Sequence, residues 1–490
     1  MKVRILTPLA AFENDIADVV RLFYGEGAAT TGDECCDGEL VHNHALDDGV
    51  WKETFSLHLG ACCAEYSLSA KAYLDGGLEE KRQLKRLVKR CCYLLFKRHT
   101  GRTPAWGSLT GIRPTRLYYQ QMESGKNRNQ AREALAELFD LSDEKLDLLD
   151  EIITAQEGLI VRPQNACDLY IGIPFCPTRC LYCSFISNSV KSSGKYMDEY
   201  LNCLIKEIEY TANILKERNV RVETVYIGGG TPTTLSFLQL DKLFAALYKY
   251  FDLTDIKEFT VEAGRPDTIT KEKLDVIKSY NIERISINPQ SMNLKTLKAI
   301  GRNHTPEDII KAYELARNSG IKIINMDVIA GLPGESFDDF KYTLDEVEKL
   351  SPENTTVHTM SIKRSSRLKE LIDNYDLTED DTVSKMVEYS KMYMSSVGKV
   401  PYYLYRQKNM LGNLENIGYT KEGYESLYNI YIMEELQSII SMGCGGVTKT
   451  VEKATDRIER IFNVKEPKEY IERFNEMLSR KDILKTRDLL

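Results

Sequence analysis

From Asp168 to about residue 360 the chain alternates short β-branched or aromatic runs with longer amphipathic stretches, and this rhythm constrains the fold more than any other feature. The runs are Leu169–Ile173, Thr224–Ile227, Glu258–Val261, Arg284–Ile287, Ile321–Val328 and Thr355–Met360. Between them, Tyr196–Glu217, Phe237–Tyr250, Lys271–Tyr280, Pro306–Ser319 and Phe337–Leu350 carry helical periodicity. Repeated strand–helix units of this length require right-handed crossovers and a parallel sheet. Six of them predict an α/β architecture, an open, partial (β/α)6 TIM-type barrel over residues 166–364. Chemistry in such a barrel belongs on the loops that follow the strands. After residue 365 the rhythm stops. Ser384–Val397 and Glu466–Leu478 read as helices, so residues 365–490 are expected to form a mainly helical domain over the barrel mouth. Residues 1–165 form an N-terminal α/β extension, with a strand in Lys2–Pro8, a helix in Leu78–Lys97 and two helices within Asn129–Gly158. Nothing in its sequence specifies a role.

The net charge of -8 argues against a nucleic-acid partner, because a phosphate backbone calls for a basic face. No apolar stretch approaches the ~20 residues of a membrane span. The N-terminus turns acidic at Glu13, Asp15 and Asp18 without a cleavage site, which points to the cytoplasm. A disulfide framework is then not expected among the twelve cysteines. The adjacent pairs Cys35–Cys36, Cys62–Cys63 and Cys91–Cys92 read as free thiols that pack as small hydrophobes.

One cysteine group has ligand spacing. In YIGIPFCPTRCLYCSFIS, which starts at Tyr170, Cys176, Cys180 and Cys183 form a C-x3-C-x2-C triplet after the first strand run. Pro174 and Pro177 keep this segment a loop. A closed 4Fe–4S electron carrier takes four thiolates, and so does a structural zinc. Three thiolates leave one iron of a cubane open, and S-adenosylmethionine (SAM) can bind there through its amino and carboxylate groups. Zinc with a distant fourth ligand such as Cys167 is the alternative at this point.

Other motifs fall on the same side of the sheet. Gly228–Thr233 (GGGTPT) follows the second strand run, where glycines let the backbone approach a ligand. Glu262 closes the third run, Gln290 follows the fourth and Asp327 lies in the fifth. Their side chains suit an amino group and ribose hydroxyls, and Arg302 suits a carboxylate. Tyr170, on the first strand, can pack against SAM or serve as barrel core.

The segments YIGIPFCPTRCLYCSF, GGGTPT, TVEAGRPDTI, RISINPQSM, IGRNHT and NMDVIAGLPGE resemble the oxygen-independent coproporphyrinogen III oxidase family of radical SAM enzymes. TPAWGSLTGIRPTRL and PYYLYRQKNMLGNLENIGY extend the resemblance to its HemZ-like branch. The resemblance implies a [4Fe-4S] cluster on Cys176, Cys180 and Cys183. It implies SAM contacts at Tyr170, Gly229, Gly230, Thr231, Glu262, Gln290, Arg302 and Asp327, with Ser361 and Val447 near two more. It further implies a tetrapyrrole substrate, an electron donor to the cluster, and conversion of two propionates of coproporphyrinogen III to vinyl groups, giving protoporphyrinogen IX. Two positions depart from the best-characterised oxidases. Phe185 stands where they carry a fourth cysteine, and Gly172 where they carry histidine. The C-S-F ending resembles the haem-chaperone branch, so a haem-binding or haem-transfer role is the alternative. For a propionate-rich substrate the candidate contacts are Lys363, Arg364, Arg406 and Lys408, with His358 on the sixth run and Tyr402, Tyr403 and Tyr405 close in sequence.

Overall fold

The computed structural model describes residues 1–490 apart from 26, 33–34, 112, 364–365, 371–377, 408–409, 453–456 and 488–490. The chain divides into two compact units, Met1–Asp150 and Glu151–Leu490.

In the first unit a five-stranded sheet is built from Val3–Leu6, Ala29–Thr30, Gly38–Asp47, Val50–Leu59 and Cys62–Lys71. Asp48 and Gly49 both have positive φ and make the two-residue turn between the long strands, the geometry that suits their twist. Helices Glu13–Tyr24 and Leu78–Thr100 supply Ile16, Val20, Phe23, Val88 and Phe96 to a core shared with Val3, Leu40 and Phe55 of the sheet. Cys91 and Cys92 belong to that core, whereas Cys35, Cys62 and Cys63 are exposed.

The second unit holds an eleven-stranded sheet. Its strands are β1 (Ala166–Ile173), β2 (Arg221–Gly229), β3 (Glu258–Glu262), β4 (Arg284–Ser286), β5 (Ile323–Ala330), β6 (Asn354–Thr359), β7 (Val400–Tyr405), β8 (Asn416–Thr420), β9 (Ser438–Met442), β10 (Val447–Val451) and β11 (Ile458–Phe462). The order is β7-β8-β6-β5-β4-β3-β2-β1-β9-β10-β11. Strands β1 to β6 are parallel neighbours, the six-unit partial barrel that the alternation predicts. The crossover helices start where their caps dictate. Ser236, Thr305 and Ser336 each accept from the backbone N–H three residues on and close a capping box.

The C-terminal stretch carries more strand than its sequence pattern suggests. β8 and β9 are buried at every residue, so neither shows the alternation by which a half-buried strand is read. β9 runs parallel to β1, in register from Ser438 opposite Cys167 to Met442 opposite Ile171. The turn that follows presses onto β1. A Cβ on Gly172 would lie 2.8 Å from the Cys444 carbonyl oxygen, and one on Gly443 (φ +90) would lie 2.5 Å from the Gly172 oxygen. Glu207, fully buried on the helix Met197–Glu217, fastens the same turn. It accepts from the Gly443 N–H and Asn463 Nδ2, both at 2.8 Å, and pairs with buried Lys481 at 3.4 Å. Among the described residues no helix is long and apolar enough to cross a membrane.

Candidate radical SAM site

The cysteine loop leaves β1 at Ile173 and is stitched to its neighbours by backbone bonds. Gly230 N–H donates to the Ile173 oxygen (2.8 Å) and Thr231 N–H to the Phe175 oxygen (2.7 Å), so the GGGTPT segment lies directly on the loop. A Cβ on Gly230 would stand 2.6 Å from the Phe175 oxygen, and Gly229 has φ +111, so both positions need glycine. On the other side Leu181 N–H donates to the Ile300 oxygen at 3.0 Å, and the Thr178 hydroxyl to the Gly301 oxygen at 3.2 Å.

Cys180 is buried, while Cys176 and Cys183 are partly so. Burial pushes the Cys176 thiol up to about 11, against the Thr231 hydroxyl 3.4 Å from its sulfur; Cys183 and Cys180 push the same way. Burial and the neighbouring Cys180 raise Cys183 as well. Burial and the Cys180 sulfur thus disfavour the thiolates of Cys176 and Cys183, and a bound cation would relieve both. Three thiols on one loop, stitched to the glycine cradle, fit a 4Fe–4S cluster, which takes each thiolate on a separate iron.

The cations beside the loop are Arg302 and Arg265. Arg302, 5% exposed, reaches the Asn288 oxygen through Nη1 and the Tyr182 hydroxyl through Nη2 (3.3 Å), and its buried Nε has no partner among the described residues. Burial works against its charge, but Tyr182 and Cys180 more than compensate and hold its pKa above the usual arginine value. Arg265 bonds the Cys180 sulfur at 3.8 Å and the Thr178 hydroxyl at 3.1 Å.

The remaining candidates ring the same end of the barrel. Tyr170 lies opposite Tyr226 in the β1–β2 register, and the two rings stack at 6.2 Å. Tyr226 also stacks on Tyr428 at 4.6 Å. The Tyr226 hydroxyl donates to Glu262 at 2.6 Å. Burial raises Glu262 to about 7; the Tyr226 hydroxyl opposes the shift and the Asp327 charge adds to it. Asp327 stays below the usual carboxylate range: burial would raise it, but His358, whose Nε2 lies 3.5 Å away, and Asn325 at 2.7 Å outweigh that cost. Gln290 has φ +67, an uncommon conformation for a side-chain-bearing residue, held by its N–H to the Asp327 oxygen and by the Ile329 N–H to its own oxygen. Ser361 bridges to Met410 just past β6, and Val447 opens β10.

The substrate-side candidates divide. His358 Nδ1 lies 3.2 Å from the Tyr405 hydroxyl and joins the Asp327 network. Lys363 is half-buried, and burial pulls its pKa below the usual lysine value. Tyr402 and Tyr403 pack in a core cluster with Ile430, Tyr431 and Leu436. Arg406 is buried, and its guanidinium bonds the Asn413 oxygen at 2.8 Å and the Leu414 oxygen at 3.4 Å, so it holds its own turn. Arg364 and Lys408 lie outside the described residues. Sequence reasoning missed Tyr226, Tyr428 and Arg265. Tyr226 was detectable, since it sits two residues before the glycines on the face of Thr224; Tyr428 comes from a helix far along the chain and gives no local signal.

Comparison with known proteins places the chain among radical SAM proteins. The Radical SAM superfamily model matches residues 170–347. The oxygen-independent coproporphyrinogen-III oxidase-like protein HemZ of Bacillus subtilis is 45% identical over 409 residues, 82% of each chain. The chain belongs to the HemZ family of radical SAM proteins. The cofactors that go with this family are a [4Fe-4S] cluster and SAM. The heme chaperone HemW of the same organism is 35% identical over 195 residues, 40% of this chain and 50% of HemW. Among solved structures, the coproporphyrinogen III oxidase HemN of Escherichia coli shares the fold, with a TM-score of 0.51 and 21% identity over 66% of this chain and 72% of HemN.

Proposed function

We propose that this HemZ-family chain is an oxygen-independent coproporphyrinogen III oxidase. Cys176, Cys180 and Cys183 hold its cluster, and SAM lies between the GGGTPT segment, Tyr170, Glu262, Gln290, Arg302 and Asp327. The observation that carries the reading is the stitching of the three-thiol loop to the glycine segment within one ring of acceptors, Glu262 and Asp327 among them. When bound, the cluster and SAM supply one-electron cleavage of a sulfonium bond and with it a hydrogen-abstracting radical.

The residues then have separable tasks. Glu262, fixed by the Tyr226 hydroxyl, would accept from the SAM amino group, and Arg302 would pair with its carboxylate. Asp327 and Gln290 take ribose hydroxyls. The Tyr170–Tyr226–Tyr428 stack closes the barrel interior against water. Lys363, half-buried, offers an ammonium to a substrate propionate. Each propionate would give a β-hydrogen atom to that radical, then release CO2 and pass one electron to a separate one-electron acceptor, leaving a vinyl group. A low-potential electron donor, cytoplasmic location and no nucleic-acid partner complete the reading, the last consistent with the net charge of -8.

A second reading is haem binding or transfer without turnover. It is favoured by the identity with HemW and by Phe185, 68% exposed two residues past Cys183. The test is anaerobic incubation of the reconstituted chain with SAM, a reductant and coproporphyrinogen III. Protoporphyrin recovered after oxidation supports the oxidase; stoichiometric haem binding with substrate unchanged overturns it for the chaperone.

A further inference from the structure

Arg265 lies in the loop after β3 and is 3% exposed. Its fork is fully committed. Nε and Nη2 make a bidentate pair with Asp267 at 3.0 and 2.9 Å, and Nη1 faces the cysteine loop, 3.1 Å from the Thr178 hydroxyl and 3.8 Å from the Cys180 sulfur. A buried ion pair is costly to desolvate, and apolar residues of like volume often serve stability as well. What the pair uniquely provides is a fixed cation aimed at one sulfur. The Asp267 side chain is 29% exposed, against 3% for Arg265. Water therefore screens the aspartate more than the arginine, and the net field at the sulfur is positive.

We propose that Arg265 is a positioning residue that sets the reduction potential of the cluster, with Asp267 as its counterweight. The inference rests on the assignment of the cluster to Cys176, Cys180 and Cys183. The reaction it governs is the uptake of one electron from a low-potential one-electron donor, by which a 2+ cubane core becomes 1+; Arg265 neither gains nor loses a proton. The added negative charge is favoured by a nearby cation and by an N–H donor on the sulfur, so Arg265 raises the potential. Asp267 partly cancels that field and lowers it. Nothing in the spacing of the cysteines encodes this, because Arg265 reaches Cys180 across 85 residues of chain.

The experiment is a mediated redox titration of the cluster-loaded full chain, followed by electron paramagnetic resonance, on wild type, Arg265→Gln, Arg265→Lys and Asp267→Asn. Arg265→Gln is expected to lower the equilibrium constant for electron uptake about tenfold, a fall of about 59 mV for one electron. Arg265→Lys should recover part of the loss, since it restores charge without the fork. Asp267→Asn should shift the potential the other way. Loosened packing would move both sites in one direction, so opposite signs identify the field. Equal signs, or unchanged potentials at full iron and sulfide content, overturn the role of Arg265 and leave the cluster assignment standing. Should Arg265→Gln fail to fold, the sign of Asp267→Asn and the position of Arg265→Lys decide the matter. A wild-type chain that forms no cluster, or a Cys180→Ser variant that keeps it intact, overturns the assignment and the inference with it.

Discussion

Replacing Tyr226 by phenylalanine isolates one hydrogen bond at the centre of the site. The ring remains, and with it the stacks on Tyr170 and Tyr428; only the hydroxyl that donates to Glu262 at 2.6 Å is lost. A hydrogen bond to a charged group contributes about 1.5–3 kcal/mol. At 1.36 kcal/mol per pH unit, its loss should raise Glu262 by about one to two units. Glu262 already sits at about 7 because of burial, so the variant should titrate near ~8–9. The ionised carboxylate is the better acceptor for the SAM amino group, so affinity is full above the pKa and falls as pH drops through it. At pH ~7.5 the wild type is about three-quarters ionised and the variant roughly a quarter or less, which predicts SAM binding weaker by roughly threefold to 25-fold. Near pH 9 the gap should narrow. The assay is equilibrium dialysis of SAM against the cluster-loaded proteins from pH 6 to 9, read as the ratio of the two affinities. The titration of the SAM amino group is common to both and cancels. A ratio that does not vary with pH would refute the assignment of Glu262 as the acceptor that Tyr226 fixes.

Three further outcomes follow from the packing. Gly230→Ala places a Cβ 2.6 Å from the Phe175 oxygen, so the GGGTPT segment must lift off the cysteine loop; the expected cost is about 1–3 kcal/mol, with reduced iron incorporation at reconstitution. Lys481→Met strands the buried Glu207 carboxylate, and the second unit should lose about 3–5 kcal/mol, measured as a lower urea midpoint. Asp168 is wholly buried, and burial raises it to about 7, with the Thr224 and Gln437 bonds opposing. Its folded pKa lies above its unfolded one, so its contribution is full below pH ~4 and is lost as pH rises through ~7, a cost of about 4 kcal/mol. Asp168→Asn should therefore melt higher than wild type at pH 8 and no higher at pH 4; equal melting temperatures at pH 8 would refute this.

Much of the site was legible because it is built from local signals. Three thiols within eight residues, three glycines at a strand end, and single polar residues at the end of β3 and within β5 are set by strand geometry, which places successive loops at one end of a parallel sheet. The capping residues likewise fix where the crossover helices begin. The strands of the C-terminal stretch were not legible. β8 and β9 are buried on both faces, and a fully buried strand has no alternation to read.

What the sequence determined alone is therefore the barrel rhythm and the chemistry that its loops can carry, since both depend on neighbours within a few residues. Only tertiary structure decided the rest. It set the Gly172–Gly443 contact that admits no side chain, the Tyr428 ring stacked on Tyr226, and the committed fork of Arg265 on Cys180. It also turned Arg406 from a candidate substrate contact into a clamp on backbone carbonyls. All but the Arg406 clamp join residues tens to hundreds apart in the chain, and the energy of every such contact depends on distance and burial, which residue order does not state.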